Sequence, residues 1–216
     1  MKFPNAYNGV KKIYLAEILL ILATILGIAT IAVLAANNVN LDAAELNLEG
    51  TPATLTLVFG IGGALLALIA FILNLLGVIS ARKDDDGFKM ALFFTLIGIV
   101  CSIVSAAFNK NEGLKDWMEV GTNLSSLFAS YFVLGGIASL AGKYPDNMTM
   151  NLALKARTKL MAAFSTTALL RLIVIIFKIQ NETVLLIMSI IILLAQVVSY
   201  LLYMLTLAKG KKMLAN

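Results

Sequence analysis

The sequence contains no histidine, one cysteine, three prolines and one tryptophan, and only 13% of its residues are charged. Without histidine there is no HExxH zinc site, no imidazole base for a serine or cysteine nucleophile, and no histidine-ligated haem or di-iron centre. The single Cys101 can close no intrachain disulfide and build no thiolate metal cluster. It lies in the apolar run Gly98–Ser102 and reads as a small packing residue. The shortage of charge excludes more. Soluble domains carry about 25% charged residues. A chain that is 60% hydrophobic, with a mean hydropathy of +0.93, could not cover its apolar surface in water. Disorder is excluded too, because disordered segments combine low hydrophobicity with high net charge. What remains is an integral membrane protein, for which lipid is the outer solvent. The net charge of +5 would point to nucleic acid in a soluble protein. Here the basic residues cluster at the ends of apolar runs, so topology accounts for them and no nucleic-acid partner is expected.

Six apolar stretches are long enough to cross a bilayer: Ile13–Ala36, Ala53–Ser80, Phe88–Phe108, Val120–Ala141, Leu160–Ile179 and Thr183–Ala208. The expected fold is all-α, one six-helix transmembrane bundle over residues 1–216 with both termini cytoplasmic. The placement of Lys and Arg supports this. Lys2, Lys11, Lys12, Arg82, Lys83, Lys89, Lys143, Lys155, Arg157, Lys159, Lys209, Lys211 and Lys212 fall on one side, and only Lys110, Lys115 and Lys178 on the other. That asymmetry is the positive-inside pattern. The connection 37–52 has three acids, Asp42, Glu45 and Glu49, and no basic residue. The first stretch reads as an uncleaved span, since its apolar run exceeds the about 7–15 residues of a signal peptide. Tyr144 and Pro145 end the fourth helix, and Asp146 or Asn147 can cap the next. That fifth helix is expected to begin outside the membrane, with Lys155, Arg157 and Lys159 anchoring it near the headgroups.

Helices in lipid pack through small residues and interhelical hydrogen bonds. The second span carries Gly60, Gly63, Ala64 and Ala67 at three- and four-residue steps, and the third carries Gly98 and Ser102. These are read as packing positions. Gly60, Gly62 and Gly63 do not form a phosphate loop, because they lie inside an apolar helix with no following Lys-Ser/Thr.

The fourth span carries a polar stripe, Glu119, Asn123, Ser126 and Ser130, on one face. Arg171 in the fifth span is about 12 Å deep at 1.5 Å per residue, where a lone arginine costs about 2.5 kcal/mol or more. The sixth span adds Ser189, Gln196, Ser199 and Tyr203. These residues suggest a polar pocket between helices four to six, with Arg171 paired to Glu119, as a substrate or gating site. The alternative is a structural network that holds the bundle together. Glu17, at the start of the first span, is a candidate for proton or cation coupling, or is held there by the nearby lysines. Asp84, Asp85 and Asp86 read as a solvated turn, with no second acidic cluster to complete a metal site. No cofactor and no metal are expected.

The expected function is therefore non-enzymatic: small-solute binding or transport through that pocket. An accessory or scaffold subunit that docks another membrane protein or a second copy is the alternative, and an intramembrane lipid-modifying enzyme is the weakest reading. In length and plan alone the chain resembles the substrate-binding components of bacterial vitamin transporters, and the resemblance extends to no motif. Few cysteines and short connections point to a bacterial cytoplasmic membrane.

Overall fold

Where described, the apolar stretches are helical almost throughout. The computed structural model describes residues 2–37, 51–108, 112–144, 146–176 and 182–215, with backbone alone at 51, 112, 113, 116, 119, 168–176, 182–186 and 189. Six helices follow in chain order: α1 (Pro4–Ala36), α2 (Thr51–Ala81), α3 (Gly87–Ala107), α4 (Glu112–Lys143), α5 (Asn147–Ile176) and α6 (Glu182–Ala215). Among the described residues there is no strand. A helix satisfies its own backbone groups and so is one of the few structures that can stand in hydrocarbon. Proline would break such a helix internally; Pro4 opens α1 and Pro52 lies in the first turn of α2, while Pro145 falls in the sequence between α4 and α5.

Among the described residues five helices are long and apolar enough to cross a membrane, namely α1, α2, α3, α4 from Val120 and α6 from Ile190. The protein is a multi-pass membrane protein. The fifth expected span, Leu160–Ile179, runs beyond the described residues. Several helices overshoot their apolar stretch. At 33 residues, α1 is about 50 Å long, against a hydrocarbon core of about 30 Å. Likewise α5 begins at Asn147, thirteen residues before its expected span, as its basic first turns suggested. Asp146 caps it: its Oδ1 accepts the backbone N–H of Thr149 at 3.0 Å and its Oδ2 the Thr149 hydroxyl at 2.7 Å. Those two donors hold the Asp146 carboxyl below its ordinary pKa.

The chain divides into two compact units, Lys12–Leu76 and a larger one made of Met1–Lys11 with Gly77–Asn216. In the smaller unit α2 meets α1 through glycine: a Cβ on Gly63 would lie 3.3 Å from the Ala23 carbonyl oxygen and 3.5 Å from Cβ of Leu26. Leu20, Ile25, Ile28, Leu57, Ile61 and Leu68 point outward, as lipid-facing side chains do. Thr24 and Thr30 turn their hydroxyls back to the carbonyls of Leu20 and Leu26, so each helix satisfies them locally.

In the larger unit α4 is central, packing on α3, α5 and α6. Of its apolar window 44% is buried, against 11% in α1, α2 and α3. Phe94 of α3 stacks on Phe132 of α4 at 5.5 Å and tilts against Phe128 at 5.0 Å. Gly136 lets the ring of Phe88 in, since a Cβ there would lie 2.5 Å from its Cε2. Cys101 fits the packing role read from its surroundings: a Cβ on Gly121 would lie 3.0 Å from its Sγ. Fully buried Leu134, Ile137, Leu140, Leu207 and Leu214 form the core where the last turns of α4 and α6 meet.

Candidate functional site

Residues that the charge pattern assigned to one side of the membrane meet in the larger unit. The backbone N–H of Lys2 donates to the Tyr144 hydroxyl at 3.0 Å, and Phe3 packs edge-on against the Tyr144 ring. Lys209 Nζ lies 3.5 Å from Met148 Sδ. This basic end is organised by the short connection between α2 and α3.

Within that connection Asp84, Asp85 and Asp86 serve three different elements. Asp84 reaches the start of α1: its Oδ2 accepts the Ala6 backbone N–H at 2.7 Å and its Oδ1 the Asn5 amide at 3.0 Å. The first N–H groups of a helix have no intrahelical acceptor and carry partial positive charge, so a carboxylate there caps α1 from 78 residues away. Asp85 turns inward, with its side chain 6% exposed. Its Oδ1 accepts the Gly87 backbone N–H at 2.9 Å, and its Oδ2 accepts Ser139 Oγ at 2.7 Å and Lys143 Nζ at 2.9 Å. Asp86 alone stays in solvent, its side chain 86% exposed and paired at 2.6 Å with Lys89. The Lys89 ammonium holds its carboxyl below the ordinary value. The reading of these residues as a solvated turn therefore fits Asp86 and fails for Asp84 and Asp85. The reason is tertiary, since apart from the Gly87 N–H their donors come from α1 and α4.

Beside the Asp85–Lys143 pair lies a cavity of about 630 Å³, more open than enclosed. The α2–α3 connection contributes Arg82, Lys83 and the three aspartates, with Gly87 and Lys89 from the start of α3. From α4 come Phe132, Gly135, Ser139 and Lys143, and from α5 Arg157. Five cations face three carboxylates, a formal excess of two positive charges. Arg157 is the unusual member. Its guanidinium carbon stands 3.9 Å from the centroid of the Tyr131 ring, a cation–π contact. It lies close over Gly135, where a Cβ would sit 3.5 Å from Nη1. Its Nε is buried and has no acceptor among the described residues. An unsatisfied buried donor costs about 1–3 kcal/mol, and more when charged, so this guanidinium is stacked but not neutralised.

The residues expected to form a pocket between helices four to six are placed as follows. Arg171 and Glu119 belong to α5 and α4, and their side chains lie outside the described residues, as does Ser189. Asn123, Ser126 and Gln196 are exposed, and Ser130 is half-buried. Their neighbour Ser125 is buried against Gly98. Ser199 donates to the carbonyls of Ala195 at 2.8 Å and Lys159 at 3.2 Å. Glu17 is buried in α1 of the smaller unit. Among the packing positions, Gly63 and Gly98 are buried in contacts, and Ser102 lies 3.4 Å from the Thr122 hydroxyl. Ala67 is half-buried, Ala64 exposed, and Gly60 half-buried with nothing within 4 Å of a Cβ there.

Sequence reasoning passed over Tyr131, Ser139, Lys143 and Arg157 as site residues. A signal was present. Tyr131, Gly135, Ser139 and Lys143 recur at steps of four and so share one face of α4. Arg157, flanked by the buried Ala153 and Ala156, differs from exposed Lys155 and Lys159. Among the described residues no three histidine, cysteine or acidic side chains are grouped to hold a metal ion. No family model, no curated protein and no solved structure matches the chain.

Proposed function

We propose that this protein is a non-enzymatic, multi-spanning membrane protein that binds a small anionic solute at its basic end, as the recognition step of solute binding or transport. The observation that carries the reading is Arg157, whose guanidinium lies over the Tyr131 ring beside an open cavity and whose buried Nε has no acceptor among the described residues. Small-molecule sites are concavities of about 300–1,000 Å³ with a few fixed polar groups, and this cavity falls within that range. Asp85 holds Lys143 in place from behind, so the wall is fixed before a ligand arrives. Anchoring the site on Arg157 moves it from the span interior to the end of the bundle. The Lys and Arg asymmetry supports an orientation with that end in the cytoplasm. Scarce cysteine and short connections favour a bacterial cytoplasmic membrane.

The test is thermal denaturation of the purified protein in mild detergent against anionic, neutral and cationic solutes at constant ionic strength. At least one anion is expected to raise the melting temperature saturably, and neutral or cationic solutes are not. Stabilisation by a neutral or cationic solute alone would sink the reading.

A further inference from the structure

The excess charge of the cavity narrows its ligand. Two of its five cations are already matched, Lys89 by exposed Asp86 at 2.6 Å and Lys143 by buried Asp85 at 2.9 Å. Asp84 is engaged with the amide groups of Asn5 and Ala6. Against it stand Arg82, Lys83 and Arg157, so the lining keeps its excess of two. A monocarboxylate brings one negative charge and leaves half of that excess standing. A phosphomonoester brings about 1.5 to 2 negative charges near neutrality on three acceptor oxygens.

The donors fit the same group. The guanidinium is a planar fork of N–H donors suited to phosphate, and in Arg157 it lies over the Tyr131 ring. The Lys143 ammonium has three N–H groups. Asp85 takes one of them, and the side chain is 47% exposed. A cavity of about 630 Å³ is far larger than one phosphate group and leaves room for what the phosphate is attached to, with Phe132 as an apolar wall.

From this we infer that the ligand of the basic pocket carries a phosphomonoester dianion, held by Arg157 and Lys143 with Arg82 and Lys83 at the rim. The inference rests on the proposed anion-binding function and specifies its chemistry. The same headgroup chemistry occurs in a soluble organic phosphate and in phosphatidic acid, and the open cavity admits either.

The experiment is calorimetric titration of the full chain in neutral detergent with inorganic phosphate, acetate and succinate at fixed ionic strength. It is paired with melting of the protein in nanodiscs containing phosphatidic acid or phosphatidylglycerol. Phosphate is expected to bind at least tenfold more tightly than acetate. Its affinity should strengthen from pH 5.5 to 7.5 as the monoanion becomes the dianion. Arg157→Gln should weaken it at least tenfold, and Arg157→Lys, which keeps the charge but not the fork, by less. Arg82→Gln with Lys83→Gln, on the exposed rim, should weaken it several-fold while the ligand-free melting temperature stays unchanged; this variant carries the test should Arg157→Gln fail to fold. Stabilisation by phosphatidic acid alone, lost in the same variants, would identify the lipid source of the same chemistry. Acetate or succinate binding as tightly as phosphate, with no effect of phosphatidic acid, would overturn the phosphomonoester and leave the anion site standing. If no anion binds and neither lipid has an effect, both readings fall.

Discussion

The hydroxyls of Thr24 and Thr30 in the α1–α2 pair of the smaller unit and the aspartates at the basic end of the larger one find their partners in opposite ways. In the pair, Thr24 and Thr30 return their hydrogens to their own helix, and aliphatic side chains face outward. Association there rests on shape, with Gly63 against Ala23 and Leu26. At the basic end polar groups reach across elements: Asp84 to α1, Asp85 to α4, and Tyr144 to Lys2. The difference follows from solvent. Hydrocarbon offers no partner to an unmatched polar group, so one satisfied within its own helix is the safer choice there. Helix ends near water can support longer-range pairs and leave one cation, Arg157, stacked but unneutralised.

The comparison can be broken most forcefully at glycine. Gly136→Val would drive a side chain into the Phe88 ring and should cost about 3 kcal/mol, the upper range for overpacking. Gly60→Val in the smaller unit meets open space and should change stability by less than about 0.5 kcal/mol. Detergent-based unfolding curves of the two variants measure both. Next in size is Asp85→Ala, which removes the acceptor shared by Gly87, Ser139 and Lys143. Loss of a partner from a buried pair costs about 3–5 kcal/mol; with Lys143 47% exposed and able to hydrate, about 2 kcal/mol is expected. Asp86→Ala, at an exposed position, should leave the melting temperature nearly unchanged.

Smaller again is the cap on α5. Asp146→Ala should cost about 1 kcal/mol. Its carboxyl is held below the ordinary value of 3.8 by the Thr149 backbone N–H and hydroxyl. A carboxylate depressed on folding contributes stability above its unfolded pKa and loses it as pH falls through the folded one. The wild type should therefore lose its advantage over Asp146→Ala below about pH 4, visible as converging melting temperatures. The smallest effect belongs to the polar stripe: Asn123→Ala and Ser126→Ala, at exposed positions, should shift stability by less than about 0.5 kcal/mol.

Much of this architecture could be read from local sequence. The helices, the early start of α5, its cap at Asp146 and the packing role of Cys101 all follow from runs and spacings within a few residues. The basic pocket did not, because its partners are distant in sequence. Asp84 meets Ala6, and Asp85 meets Ser139 and Lys143, across 78, 54 and 58 positions. Reading charge as topogenic also treated Arg157 like Lys155 and Lys159. All three mark one side of the membrane, but only Arg157 is half-buried over an aromatic ring. The pocket expected around Arg171 and Glu119 rests on side chains outside the described residues.

Hydrogen–deuterium exchange in the presence and absence of saturating phosphate tests most directly whether the basic end is the ligand site. Slowed exchange is expected in peptides spanning the α2–α3 connection, residues 82–87, and the stretch of α5 around Arg157. Peptides from 53–76 should be unchanged. Protection centred instead on 119–130, around the polar stripe of α4, with none at 82–87, would contradict this account and return the site to the interior of the spans.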